Sequence, residues 1–190
     1  MSNPRWLSLT SQLLPAARHQ PQGPFVGQAA VLLALSGDPQ DPTIVLTRRA
    51  AHLAHHPSEI AFPGGKWESH DTNLVATALR ESFEEIGLAS DKVEVLGRYP
   101  DYQTRRGVVV TPVIGVIPEK VTLVPDPAEL DRIFTMPLRL LQADEAVAWR
   151  SYEHEGKHYR IPQFKYKEYT IWGLTAAIAT RLAADALRQP

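Results

Sequence analysis

Three glutamates stand within about one turn of a single helix candidate: Glu81, Glu84 and Glu85, in the run LVATALRESFEEIGL from Leu74 to Leu88. Placed on a helical wheel, they share one face at spacings of three and four. Val75, Leu79, Phe83 and Ile86 fall together on another, the face expected to pack. Clustered carboxylates repel by roughly a few tenths of a kcal/mol per pair. Two of them also lie near the helix C-terminus, where the macrodipole disfavours negative charge. Local energetics therefore oppose the arrangement. Arg80 offsets part of the cost by pairing with Glu84. A solvated acidic face is the plain reading. The chemical reading is a site for a hard divalent cation, Mg²⁺ or Mn²⁺, which takes carboxylate oxygens and keeps sites open for phosphate oxygens.

The upstream run Phe62-Pro63-Gly64-Gly65 favours the second reading. Two glycines let backbone approach a ligand closely, and the Gly65 carbonyl is a candidate metal ligand beside the glutamates. Alone, such a run is a turn. Joined to a capped helix and to R-E-x-x-E-E-x-G-L, it is a specific pattern.

The elements that must position these groups follow from periodicity and turn chemistry. Residues 28–35 and 43–49 read as strands of a hairpin around SGDPQDP, and SEIAF as a short strand ended by Pro63-Gly64-Gly65. The helix spans 73–86, with Asp71, Thr72 or Asn73 as N-cap and Gly87 as the left-handed residue after its end. Residues 92–99 and 108–117 read as strands, 127–134 as a short helix, and 147–154 with 157–161 as a hairpin around Glu155-Gly156. A final helix covers about 170–187, with a stripe of Ile171, Leu174, Ile178 and Leu182. Strands mixed with two substantial helices predict one α/β sandwich. Ahead of it, Trp6, Leu7, Leu9, Leu13 and Leu14 make a short amphipathic segment.

Bulk properties narrow the function. The 190 residues carry a formal net charge of −1, 44% hydrophobic and 22% charged residues, sixteen prolines and no cysteine. The charge argues against a nucleic-acid backbone binder. The absent cysteines remove disulfides, thiolate nucleophiles and cysteine-ligated zinc, and fit a reducing, cytoplasmic setting. No stretch approaches the roughly 18 apolar residues of a membrane span, and the first residues do not read as a secretion signal. His52, His55 and His56 share a loop without metal-ligand spacing and read as structural or solvated. Trp172 reads as packing, and Tyr166 and Tyr169 are candidate pocket walls.

The run from Gly65 to Leu88 resembles the Nudix box: Gly, five residues, Glu, seven residues, then Arg-Glu-U-x-Glu-Glu-x-Gly-U with U apolar. Arg80, Glu81, Glu84, Glu85, Gly87 and Leu88 match the second half, with Ser82 at a position that is usually apolar or small. In the first half, Lys66 and Thr72 hold the expected Gly and Glu positions, while Gly65 and Asp71 lie one residue earlier. The loop is thus longer by one. That length, with FPGG, TALRE and EEIGL, is similar to the branch of Nudix enzymes that hydrolyse coenzyme A. Leu46, Thr47, Arg49 and Ala50 match that branch's upstream signature, whereas Ala54 and Ser58 replace its second Arg and its Gly. The segments TPVIG, IFTMPL and IWGLTA extend the likeness over roughly residues 28–180.

The resemblance implies a Nudix-type α/β/α sandwich with a mixed sheet, residues 1–26 being an N-terminal extension and 27–190 the domain. It implies hydrolysis of a P–O–P bridge in a small nucleotide-type substrate, with Glu81, Glu84, Glu85 and the Gly65 carbonyl as metal ligands. Arg80 is expected to hold a box carboxylate in place. Family members take their general base from the box or from a distant loop, and Glu129 in PDPAEL is the distant candidate beside Glu84 and Glu85. Arg49 is the signature's substrate contact. Arg48 alternates with it along a strand, so only one of them faces the site. Arg105 and Arg106, in YQTRRG, can also reach an anionic substrate. Three functions remain open: a coenzyme A pyrophosphatase, a pyrophosphatase of ADP-ribose, dinucleotides or nucleoside triphosphates, and a silent nucleotide-binding module. The N-terminal segment and the C-terminal stripe can pack internally or against a second subunit, a homodimer.

Overall fold

A computed structural model describes residues 6–16, 27–104, 106–143, 146–154 and 156–187. The framework is a pair of parallel neighbours, β1 (Gln28–Ser36) and β7 (Val109–Val116), joined from Gln28↔Val109 to Leu35↔Val116. Both are nearly continuous apolar runs because both faces of the sheet are covered. Ala30, Leu32 and Ala34 face one core, while Leu33 and Leu35 face another. β5 (Glu94–Arg98) and β6 (Tyr102–Gln103) pair antiparallel with β7. Among the described residues these belong to an eight-stranded mixed sheet.

The opposite edge of β1 departs from a simple hairpin. It meets β2 (Thr43–Arg49) only at Leu35↔Ile44 and Ser36↔Thr43. Beyond these pairs the strands splay, and the segment 60–66 fills the wedge. β3 (Ile60–Ala61) pairs with β2, and β4 (Gly64–Lys66) with β1. The Pro63 carbonyl between them accepts from the Leu32 amide at 2.8 Å. The two glycines expected to end the SEIAF strand therefore begin a strand of their own. Gly64 has φ of +147°, and a Cβ there would lie 2.3 Å from the Ala30 carbonyl oxygen, so only glycine lets β4 approach β1 this closely.

The expected helix at 127–134 is also a strand, β8 (Leu130–Pro137), paired along β2 from Thr43↔Pro137 to Arg49↔Leu130. The residues before it make one turn, in which the Asp126 carbonyl accepts from the Glu129 and Leu130 amides. Pairing with β2 prevails over continuing that turn, and Ile133, Phe134 and Thr135 suit a pleated surface.

The helix α2 (Leu74–Ile86) begins at Asn73, whose Oδ1 accepts from the Ala76 amide at 2.9 Å. It ends at left-handed Gly87, φ 66°, whose amide donates to the Phe83 carbonyl. Its packing face differs from the wheel expectation. Leu74, Thr77, Ala78, Ser82, Glu85 and Ile86 are buried, while Val75 and Leu79 are half-buried and Phe83 is 58% exposed. Small Ala78 and Ser82 bring the helix close to the sheet, and the buried Ser82 hydroxyl donates to the Ala78 carbonyl at 2.6 Å. Glu85 thereby sits on the buried face rather than on a solvated one.

On the other face of the sheet, α1 (Leu7–Thr10), α3 (Gly173–Ala186) and a three-stranded sheet of β9 (Ala148–His154), β10 (Lys157–Tyr166) and β11 (Tyr169–Trp172) close the second core. The final helix is shorter than expected because 169–172 pair with β10; Ile171 is buried from a strand, not a helix. Trp172 is 44% exposed rather than packed. The result is an α/β/α sandwich with a mixed sheet.

Candidate active site

Burying Glu85 places its carboxylate at the wedge. Its Oε2 accepts from the Gly64 amide at 3.0 Å, the side chain is almost inaccessible, and the carboxyl is pushed up to about 7. Burial is the main cause. The Gly64 hydrogen bond opposes it, the charges of Glu129 and Glu81 add to it, and that of Arg49 relieves it. Glu81, one turn earlier, lies against Gly65, where a Cβ would stand 2.4 Å from the Glu81 carboxyl carbon. Its carboxyl is also raised, first by burial and then by Glu84 and Glu129, against the lowering effect of Arg80.

Arg80 organises the helix and its preceding loop. Its Nε and Nη2 donate to the two oxygens of Asp71 at 2.9 and 3.0 Å, and Nη2 also donates to the Lys66 carbonyl. Its Nη1 lies 3.1 Å from Glu81 and 2.9 Å from Glu84. Burial raises the Asp71 carboxyl, but the bonds from Arg80, the Glu68 amide and the Thr77 hydroxyl outweigh it and hold the group below the usual range. Asp71 was legible only as a possible cap or as the box's displaced acid; it is the anchor for Arg80. The one-residue offset of the loop is matched by this shorter acid.

Glu129 arrives from far along the chain through backbone bonds. The last carbonyls of α2, those of Glu85 and Ile86, accept from the Asp126 and Val124 amides at 2.9 and 3.0 Å. The Glu129 carbonyl accepts from the Ala50 amide at 2.8 Å. Its exposed carboxylate is close enough for its charge to act on both Glu81 and Glu85.

Arg49 faces the same site, and its Nε is buried without a hydrogen-bond partner. Arg48 leaves the opposite face of β2 and bonds Ser58 Oγ at 3.2 Å. Arg106 is exposed in the turn after β6 and bonds none of the site carboxylates among the described residues. Arg105 lies outside the described residues. Glu84 is 55% exposed and rests on Arg80 rather than beside Glu85. Among the described residues, no three acidic or histidine side chains stand as a ready-made metal cage. The donors nevertheless suit a hard cation. They are oxygens only, those of Glu81 and Glu85 belong to crowded carboxyls raised by burial and mutual repulsion, and Gly65 leaves backbone open beside them. His52 meets the Ala128 carbonyl, and His56 pairs with Glu59.

The sequence matches the NUDIX domain family over residues 26–155. It is 40% identical over 160 residues to a protein of Photorhabdus laumondii described as "Uncharacterized Nudix hydrolase NudL", covering 82% of each chain. A protein of Pectobacterium atrosepticum with the same description is 38% identical over 186 residues, 94% of this chain and 91% of the other. Solved structures share the fold. A Nudix hydrolase from M. Smegmatis, RenU, superposes with a TM-score of 0.51 at 22% identity, covering 68% of this chain and 81% of its own. A C. elegans Ap4A hydrolase does so at 0.50 and 14%, covering 58% and 80%. This chain belongs to the Nudix hydrolase family. It is a pyrophosphohydrolase of nucleotide derivatives, in a family whose members generally use divalent metal ions. Among the described residues, no helix is long and apolar enough to cross a membrane.

Proposed function

We propose that the enzyme hydrolyses the diphosphate of coenzyme A or its acyl derivatives, with Mg²⁺ or Mn²⁺, to adenosine 3′,5′-bisphosphate and a 4′-phosphopantetheine product. One observation carries the site: crowded carboxylates at Glu81 and Glu85 lie beside Arg49, whose buried Nε lacks a partner. A cation-seeking group and an anion-seeking group side by side suit a metal-bound diphosphate. The substrate rests on FPGG, the lengthened loop and the Leu46-Thr47-x-Arg49-Ala50 signature.

Glu81, Glu85 and the Gly65 carbonyl would hold the metal, joined by Glu84 once it leaves Arg80. The bound ion supplies charge neutralisation on the bridge and a more acidic water. The chain's own groups do the rest. Arg49 grips a phosphate oxygen and orients the bridge for in-line attack. Glu129 reaches in from its loop to take the proton of the attacking water. Arg80, clamped by Asp71, keeps Glu81 and Glu84 in register and touches no substrate.

A second reading has its own observation. Ala54, exposed, removes an arginine from the coenzyme A signature, and Ser58 stands where that signature has Gly, at φ of +61°. ADP-ribose or a dinucleotide, with fewer phosphates to hold, fits a site that lost a cation. Steady-state assays with coenzyme A, ADP-ribose, NADH, diadenosine polyphosphates and nucleoside triphosphates separate the readings. We expect coenzyme A to lead by about tenfold or more in kcat/KM, equal to about 1.4 kcal/mol. A different leading substrate would overturn the coenzyme A assignment.

A further inference from the structure

Arg48 projects from the face of β2 opposite to Arg49, and there it stands directly across from Arg132 of β8. Like charges placed opposite one another on an antiparallel pair are destabilising. Neither arginine has an ion pair among the described residues; Arg48 is tied only to the Ser58 hydroxyl. Ser58 itself is held at φ of +61°.

The same surface is concave. Arg48, Ser58 and Ile60 form one wall of a cleft of about 280 Å³ between the main sheet and the β10–β11 turn, and Glu168, Tyr169 and Thr170 form the other. Tyr169 is fixed by stacking on Phe134, with ring centroids 4.2 Å apart and planes inclined by 14°. Phe134 lies two residues along β8 from Arg132, on the same face. Both arginine charges reach the Tyr169 hydroxyl, and Arg132 also acts on Glu168, which is fully exposed and offsets one of the two positive charges.

We propose that this cleft is a second anion site, distinct from the metal ridge, which takes a phosphate monoester between Arg48 and Arg132 with Ser58 and Thr170 as hydroxyl donors. The dianionic charge of such an ester, about −1.5 to −2 at neutral pH, neutralises both guanidiniums, whereas a carboxylate neutralises one. The ligand takes over from solvent-exposed Glu168 as the counter-charge and lies along the fixed ring of Tyr169. The phosphate has two sources: a second phosphate on the enzyme's own substrate, or a separate phosphorylated small molecule.

The test is a titration of the metal-free full chain with inorganic phosphate at constant ionic strength, followed by amide chemical shifts. Ser58, Tyr169 and Thr170 shift saturably, and in the R48Q/R132Q double variant the affinity falls by about tenfold or more. Its melting temperature is no lower than that of the wild type, because the substitutions relieve repulsion, so lost binding does not report unfolding. A second comparison, kcat/KM for coenzyme A against its 3′-dephospho form, identifies the source. If the double variant loses the wild type's preference for the 3′-phosphate, the substrate fills the cleft. If that preference is unchanged while phosphate binding is lost, a separate ligand does. Absence of a saturable response in the wild type, or an equal response in the double variant, overturns the proposal. Failure to turn over either coenzyme, with the phosphate response intact, removes the substrate reading and leaves this site standing.

Discussion

Gly64 and Gly65 are neighbours under different constraints. A side chain at Gly64 meets the backbone of Ala30 and Val31, at a positive φ. At Gly65 its nearest neighbours are the carboxylate atoms of Glu81, the flexible end of a side chain that can swing away. Gly64→Ala is therefore expected to destabilise the fold by roughly 2–4 kcal/mol, read by chemical denaturation. Gly65→Ala is expected to fold with little loss of stability but to displace Glu81 and depress turnover. The reverse pattern would show that the wedge is assembled differently. Glu85 gives a pH prediction. Its carboxyl, at about 7 in the fold against 4.5 in the unfolded chain, favours folding only while protonated. Its contribution is complete below pH 4.5 and is lost as pH rises through 7. The metal-free protein should then be more stable with Glu85→Gln than with Glu85 at pH 8, by up to roughly 3 kcal/mol, with the difference shrinking towards pH 5. Thermal melts in a chelator across that range check it; equal stability of the two proteins at pH 8 would contradict it.

Between elements, the clamp from Asp71 to Arg80 ties the loop after β4 to α2. Asp71→Asn keeps the shape but removes the charge that fixes two guanidinium nitrogens. Metal affinity is expected to fall by about 10–100-fold, measured by Mn²⁺ titration, with the fold retained. At this scale the sequence was only partly legible. The cap at Asn73 and the stop at Gly87 were readable because they are local chemistry. The wedge was not, because splaying of β1 from β2 is decided by what enters between them. β8 was misread because its strand state comes from the free edge of β2, a partner far along the chain. The helix wheel misassigned Phe83 and Glu85 for a related reason: it ranks faces by apolarity, whereas α2 turns a carboxylate inward to reach the Gly64 amide. Of the candidate site, the glutamate spacing was visible as a pattern, while Arg49 and Glu129 entered only through the Nudix resemblance. Asp71 as anchor and Gly64 as donor emerge only from contacts.

Across the molecule, α3 is fastened to the far end of the sheet by a buried polar link. The Tyr99 hydroxyl donates to Asp185 at 2.9 Å, and the Arg181 guanidinium lies over the ring at 4.3 Å. Trp6 and Leu9 are buried in the same core, so the start of the described chain is part of the packed unit. Tyr99→Phe is expected to cost about 1–2 kcal/mol, seen as a lower denaturation midpoint with unchanged KM, since the link is remote from Glu81 and Glu85. A change in KM without a loss of stability would contradict that separation. The central claim, that the Glu81–Glu85 ridge exists to hold a divalent cation against a diphosphate, is tested most directly by anomalous scattering from a manganese-soaked crystal. The account predicts a peak bound by carboxylate oxygens of Glu81 and Glu85 beside Gly65. Manganese-activated enzyme with no anomalous peak at that ridge would contradict it.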